Sequence, residues 1–185
     1  MSLKKINYYQ PNDFYALSRF QSDFLKHLQK KCKKNQPLVL ICIGSDRATG
    51  YCLGPLVGQS LMDFPVYSVY GTLQFPVHAK NLDKTMELIY KFHKNPFIIA
   101  IDSCLGYADH VGYITLSSMP LCPGRGVSKH LPPIGDISIT GIVDRFSESS
   151  HETIQTTRLQ TVFYLASFIA KGIQIPKFQV SYPHL

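Results

Sequence analysis

The sequence predicts a three-layer α/β/α sandwich built on a mostly parallel β-sheet, of the α/β class. Two observations carry that expectation. Residues 38–43 and 97–101 are apolar at every position, the pattern of strands buried on both faces of a sheet rather than on one. Segments with apolar residues at spacings of three and four alternate with these runs, which is the order of a parallel sheet flanked by helices. A chain of 185 residues supports one domain with a substantial core and is short for two large ones.

Taken in order, residues 13–34 place Phe14, Leu17, Phe20, Phe24 and Leu28 on one helical face,. Lys26, Lys30, Lys31, Lys33 and Lys34 crowd the end of that segment, where cations complement the helix dipole,. Pro37 stops it, the strand 38–43 follows, and Gly44 closes the strand. Residues 53–62 read as a short helix with Pro55 near its start. Residues 66–70 read as a strand, and 81–93 as a helix with Leu82, Met86, Ile89 and Tyr90 at helical spacing,. The run 97–101 reads as a central strand that stops on Asp102. Residues 111–117 form another strand, 120–135 a long Pro- and Gly-rich loop of the kind that is often functional, and the alternating stretch 137–142 an outer strand. Residues 153–170 read as one final helix with Leu159, Val162, Phe163, Ala166 and Ile169 along one face,. The expected organisation is a single domain over 1–185, with a basic N-terminal helix in 1–36 and an α/β core over 37–175.

Composition narrows the function classes. With 45% hydrophobic and 17% charged residues the chain belongs with ordinary globular proteins rather than disordered or fibrous ones. Five scattered cysteines without a Cys-x-x-Cys pair argue against a disulfide framework and a zinc site, and neither a metal nor a cofactor is expected. Seven histidines show no ligand spacing either. No stretch has signal-peptide character and none is apolar for the roughly 18 residues of a membrane span, so the expectation is a cytoplasmic protein without a membrane partner. The net charge of +7 lies almost wholly in residues 1–35, where eight Lys and Arg face Asp13 and Asp23. Since the aromatic residues follow core periodicity and no nucleic-acid motif appears, nucleic acid is not the expected partner.

In open α/β sheets ligands bind outside the carboxyl ends of strands, which selects the loops 44–55 and 102–106. The first lacks both the Gly-Lys-Ser/Thr ending and the Gly-x-Gly-x-x-Gly spacing of nucleotide loops,. Asp102 stands out because a carboxyl at the end of an apolar strand can have its pKa raised by desolvation; capping the next turn is the alternative role. Asp46, beside Arg47, carries the same two readings. Cys52 or Cys104 with His110 or His130 could support thiol chemistry, or be small core hydrophobes. In the long loop, Gly124, Arg125, Gly126, Lys129 and His130 could hold an anion through backbone amides and a cation, or simply be solvated.

Several stretches taken together carry a family resemblance: Cys42-Ile43-Gly44-Ser45-Asp46-Arg47-Ala48-Thr49-Gly50 with Leu53-Gly54-Pro55-Leu56-Val57-Gly58, and Ile99-Ala100-Ile101-Asp102-Ser103-Cys104-Leu105-Gly106. Pro123-Gly124-Arg125-Gly126-Val127 with Leu131-Pro132-Pro133-Ile134-Gly135-Asp136-Ile137 adds a third, and Tyr70-Gly71-Thr72-Leu73 with Pro76-Val77-His78-Ala79 a fourth. Together they resemble the spore protease YyaC family, short sporulation proteins related to the spore germination protease. The likeness runs from about residue 38 to 142 and leaves the basic N-terminal helix outside.

The resemblance implies a phosphorylase/hydrolase-like fold, shared with the hydrogenase maturation peptidases, and an aspartic-type peptidase that uses two aspartates. One carries over to Asp102. The other falls two residues before Leu53-Gly54-Pro55, at Tyr51, where the hydrogenase maturation peptidases place an acidic metal ligand. A phenol with a reference pKa of about 10 cannot share a proton with Asp102 as a second carboxyl does. Either Asp46 restores the pair, or the fold is retained and the peptidase chemistry is lost or altered; the second is favoured, with Tyr51 hydrogen-bonding Asp102 from the vacated place. The candidate catalytic residues are then Asp102 and Asp46. The candidate substrate-binding residues are Tyr51, Gly50, Ser103, Cys104, Gly124, Arg125, Gly126 and His130. The partner is a peptide or protein, in the cytoplasm of a sporulating cell or forespore.

Overall fold

The computed structural model describes residues 6–123, 132–147 and 150–176. Its strands are β1 (Ile6–Tyr9), β2 (Leu38–Cys42), β3 (Ser68–Tyr70), β4 (Phe97–Gly106), β5 (Ile114–Ser117) and β6 (Ile137–Arg145). The helices are α1 (Ala16–Lys31), α2 (Leu53–Leu61), α3 (Leu82–Phe92), α4 (Ser150–Thr156) and α5 (Leu159–Ile173), with short 3-10 turns at Thr49–Cys52 and Ala108–His110. The strands form one sheet in the order β1-β5-β6-β4-β2-β3. β6, β4, β2 and β3 run parallel, while β5 and β1 are antiparallel to their neighbours. The architecture is the expected α/β sandwich with a mostly parallel sheet.

Strand alternation divides the core in two. Leu38, Leu40, Phe97, Ile99, Ile101, Ile137 and Ile139 face the larger half, closed by Phe20 and Phe24 of α1, Leu53 and Val57 of α2, and Val162, Leu165 and Ile169 of α5. Val39, Ile41, Ile98 and Ala100 face the smaller half, covered by Leu82 and Ile89 of α3 and by Ile134. Both runs read as doubly buried strands are therefore covered on both faces.

Several expectations are corrected. β4 does not stop at Asp102: β6 keeps pairing with it, Asp102 opposite Thr140 and Ser103 opposite Gly141, to a register shift after Cys104. A polar side chain does not end a strand whose backbone groups still have partners. β6 is not an outer strand, because it lies between β5 and β4. Its alternation arises because Ser138 and Thr140 sit opposite Ala100 and Asp102, on the side with thinner helical cover. The predicted final helix is two, α4 and α5, and at the break between them the single Thr157 hydroxyl proton is shared between the Thr153 carbonyl and Asp144 Oδ2, at 3.2 and 3.1 Å. In α5, Leu159 and Phe163 are exposed while Leu165, Phe168 and Ile173 are buried, since α5 packs against both α1 and α2. In α3, Leu82 and Ile89 are buried while Tyr90, at the same helical spacing, is exposed.

The N-terminal region departs most from expectation. A strand, β1, precedes the helix, α1 begins at Ala16, and Phe14 lies outside it, 89% exposed. Phe20 and Phe24 are fully buried, with Phe20 edge-on to Tyr9 and Phe168 at ring separations of 5.1 and 5.6 Å. The basic helix is thus a wall of the main core. Lys31, one of the lysines expected to complement the helix dipole, donates to the carbonyls of Ser118 and Asp136 at 2.7 and 2.5 Å.

Candidate functional site

From β2 the chain crosses to β3 on one side, and from β4 it passes to β5 and β6 on the other. The carboxyl ends of β2 and β4 therefore flank a topological switch point, the usual position of a ligand crevice. Residues 44–52 and 102–106 lie there.

The first loop folds back on its own start. Gly44 N–H donates to the Val77 carbonyl at 2.7 Å, and Ser45 N–H to the Tyr51 carbonyl at 3.0 Å. Gly44 has φ +150°, and a Cβ there would lie 2.0 Å from the Tyr51 oxygen, so only glycine permits this closure. Gly50 faces protein rather than open space: its Cβ would meet the Ile154 carbonyl of α4 at 2.2 Å. Gly50→Ala is expected to lower stability by about 1–3 kcal/mol through overpacking, seen as a reduced midpoint in urea denaturation; an unchanged midpoint would refute the assigned α4 contact.

On β4, Ser103 N–H donates to Asp102 Oδ1 at 2.8 Å. Burial of the carboxyl outweighs this bond and pushes its pKa up to about 7,. Tyr51 is near enough that, after burial, the Asp102 charge raises its phenol further. The expected Tyr51 to Asp102 hydrogen bond is not formed, and the Tyr51 hydroxyl is buried without a partner among the described residues. The reason is geometric. Tyr51 packs against the larger core, whereas Asp102 alternates with Ala100 and Cys104 onto the other face. Ser103 Oγ is likewise buried and unpartnered.

Asp46 is exposed, and its charge acts on Cys52, whose thiol is raised by burial first and by Asp46 second. Among the described residues no second carboxylate contributes to the Asp102 shift, which follows from burial and the Ser103 amide. Cys104 Sγ donates to Thr140 Oγ1 at 3.3 Å, and Thr140 shares a 2.6 Å hydrogen bond with Thr115. Burial pushes the Cys104 thiol up to about 11, so it is protonated at neutral pH and a poor nucleophile. Thr140 and Thr115 escaped the sequence reading; the signal for Thr140 was its place in the polar phase of 137–142.

Gly124, Arg125, Gly126, Lys129 and His130 lie outside the described residues. The ends of their loop are described: Leu121 and Ile134 pair through two 2.8 Å hydrogen bonds, and Ile98 N–H donates to Asp136 Oδ2 at 2.9 Å. The loop is therefore anchored beside the amino end of β4, while Asp102 lies toward its carboxyl end. Among the described residues there is no group of three or more His, Cys, Asp or Glu able to hold a metal ion, and no helix long and apolar enough to cross a membrane.

Comparison with known proteins places these features in a wider group. Residues 5–172 match the family described as "Protein of unknown function (DUF1256)". The chain is 42% identical over 170 residues to the uncharacterized protein YyaC of Bacillus subtilis (strain 168), covering 91% of this chain and 82% of that protein. Among solved structures it is similar to the NiFe hydrogenase maturation protease HycI from Thermococcus kodakarensis, with 18% identity and a TM-score of 0.46, covering 80% of this chain and 99% of that one. Because the family match begins at residue 5, it includes α1, which the sequence reading left outside the family-like region.

Proposed function

This chain belongs to the family of proteins of unknown function DUF1256, and on that premise we propose that it is a sporulation-associated relative of the germination protease that binds a peptide or protein ligand and has lost the two-carboxylate peptidase chemistry. The observation that carries this reading is that, among the described residues, no second carboxyl acts on Asp102. An aspartic dyad needs two carboxyls close enough to share a proton; here the neighbouring position holds Tyr51, and Asp46 is exposed on the loop.

What remains suits recognition. With its acid near 7, Asp102 is present in both protonation states at neutral pH, able to donate to a peptide carbonyl or accept from an amide. Among the described residues the buried hydroxyls of Tyr51 and Ser103 have no partner. Each such group costs about 1–3 kcal/mol when unsatisfied, a cost that a ligand reaching them would remove. Asp102, Tyr51, Ser103 and Cys104 are assigned to the crevice, with Gly50 supporting its wall and Gly124, Arg125, Gly126 and His130 kept as binding candidates. The working compartment is the cytoplasm of the sporulating cell or forespore.

A second reading is favoured by one observation. An acid near 7 is matched to general acid–base work at neutral pH, so Asp102 could activate water for hydrolysis, with Asp46 supplying the second carboxyl. Mass spectrometry of spore-protein peptides incubated with the purified protein separates the two, with calorimetric titration of the same peptides alongside. Binding without cleavage is the expected result. Cleavage that disappears in both Asp102→Asn and Asp46→Asn would establish the hydrolase instead.

A further inference from the structure

The far edge of the sheet carries a feature that the Asp102 crevice does not use. β3 is the last strand of the sheet and pairs only with β2, so among the described residues its outer backbone edge meets no strand. Beside that edge lies a cavity of about 460 Å³, between Val69 and Tyr70 of β3, the turn carrying Phe75, and Asn81, Thr85 and Leu88 at the start and along one stripe of α3. The spacing of four and three puts those last residues on one side of the helix. Its lips are apolar and open to solvent, Phe75 being 71% and Leu88 47% exposed. Phe92, four residues beyond Leu88 and 69% exposed, continues the stripe.

The charges around this groove have one dominant sign. Lys84 stands three residues after Asn81 and four before Leu88, and Lys91 three after Leu88, so both border the stripe. Lys80 and Lys94 flank the two ends of α3. Asp83 and Glu87 each stand two residues from Thr85, a spacing that turns them away from its side of the helix.

We infer that the β3 edge and the α3 stripe form a strand-addition site for an extended peptide segment of another protein, one that alternates apolar and acidic side chains. Each observation selects part of that chemistry. An unpaired strand edge is satisfied by another main chain. Alternate side chains of an added strand project to one face, where an apolar one fits between Phe75 and Leu88. The lysines favour acidic residues on the incoming segment. They also disfavour a second copy of this chain, whose groove would bring the same lysines against them.

The test uses an acetylated, fluorescein-labelled heptapeptide of alternating aspartate and valine, followed by anisotropy, with amide hydrogen exchange read at residues 68–70. Binding is expected to weaken at least tenfold when the peptide is N-methylated at alternate residues, and by a similar factor in Leu88→Asp. Lys84→Glu and Phe75→Ser are expected to weaken it several-fold, and exchange at residues 68–70 to slow on binding. Because these side chains are exposed, the variants should melt at the wild-type temperature. Absence of binding, equal binding of the methylated peptide, or no protection at residues 68–70 would overturn the inference. So would a dimer in sedimentation that Leu88→Asp dissociates, which would make a second copy the occupant. Asp102→Asn is expected to leave this binding unchanged; loss of binding in that variant would assign the peptide to the crevice instead and refute the edge site.

Discussion

Asp102→Asn is expected to remove a loss of stability that the wild-type protein undergoes as pH rises from about 4 to above 7. The sign follows from the direction of the shift. In the folded chain burial raises the acid to about 7, whereas in the unfolded chain it ionises near its ordinary value of about 3.9. Between those values the unfolded chain has released a proton that the folded chain keeps, so folding stability falls with rising pH and the contribution is fully lost above the folded value. The size is on the order of 3–4 kcal/mol. Asparagine retains an oxygen for the Ser103 N–H and cannot ionise. The variant should therefore match wild type near pH 4 and exceed its stability by that amount at pH 8.5. Urea denaturation across this range measures the difference directly, and parallel curves would mean that the carboxyl is not desolvated as described.

Phe20→Ala should cost about 3–5 kcal/mol, the range for removing a buried aromatic ring, and lower the melting temperature by roughly 10 °C. Phe20 is fully buried between Tyr9, Phe24 and Phe168. Its ring also lies where a Cβ on Gly172 would come within 2.4 Å, so α1 and α5 are in close contact there. The surrounding rings belong to β1, α1 and α5 and cannot collapse together without moving three elements. Phe14→Ala, at a position 89% exposed, provides the control and should change stability little. Calorimetry of both variants tests whether α1 is a wall of the core; a Phe20 effect below about 1 kcal/mol would return the helix to the peripheral role that its lysines suggested.

Burial on both faces marks every residue of a strand, whereas partners distant in the chain leave no local mark. The runs 38–43 and 97–101 were legible as central strands because burial on both faces leaves its mark on every residue of the run. The end of β4 was not legible, because what prolongs it past Asp102 is β6, some 38 residues later in the chain,. In α5 the apolar residues go nearly all the way round, so their periodicity could not say which stripe two neighbouring helices would cover. Lysines crowd the end of α1, while Phe20 and Phe24 on the preceding turns carry the packing.

At the candidate site the division is sharper. Residue order alone places an apolar run directly before Asp102 and a phenol, Tyr51, two residues before Leu53-Gly54-Pro55; that a carboxylate belongs at the second position is what the family resemblance implies. Folding adds that Tyr51 and Asp102 face different layers, that Asp46 stays in solvent, and that burial raises the Asp102 acid to about 7. An ionisation equilibrium depends on the solvent and charges that surround a group. Around Asp102 those surroundings are supplied by residues from β6 and the 44–52 loop, brought together only when the sheet has formed.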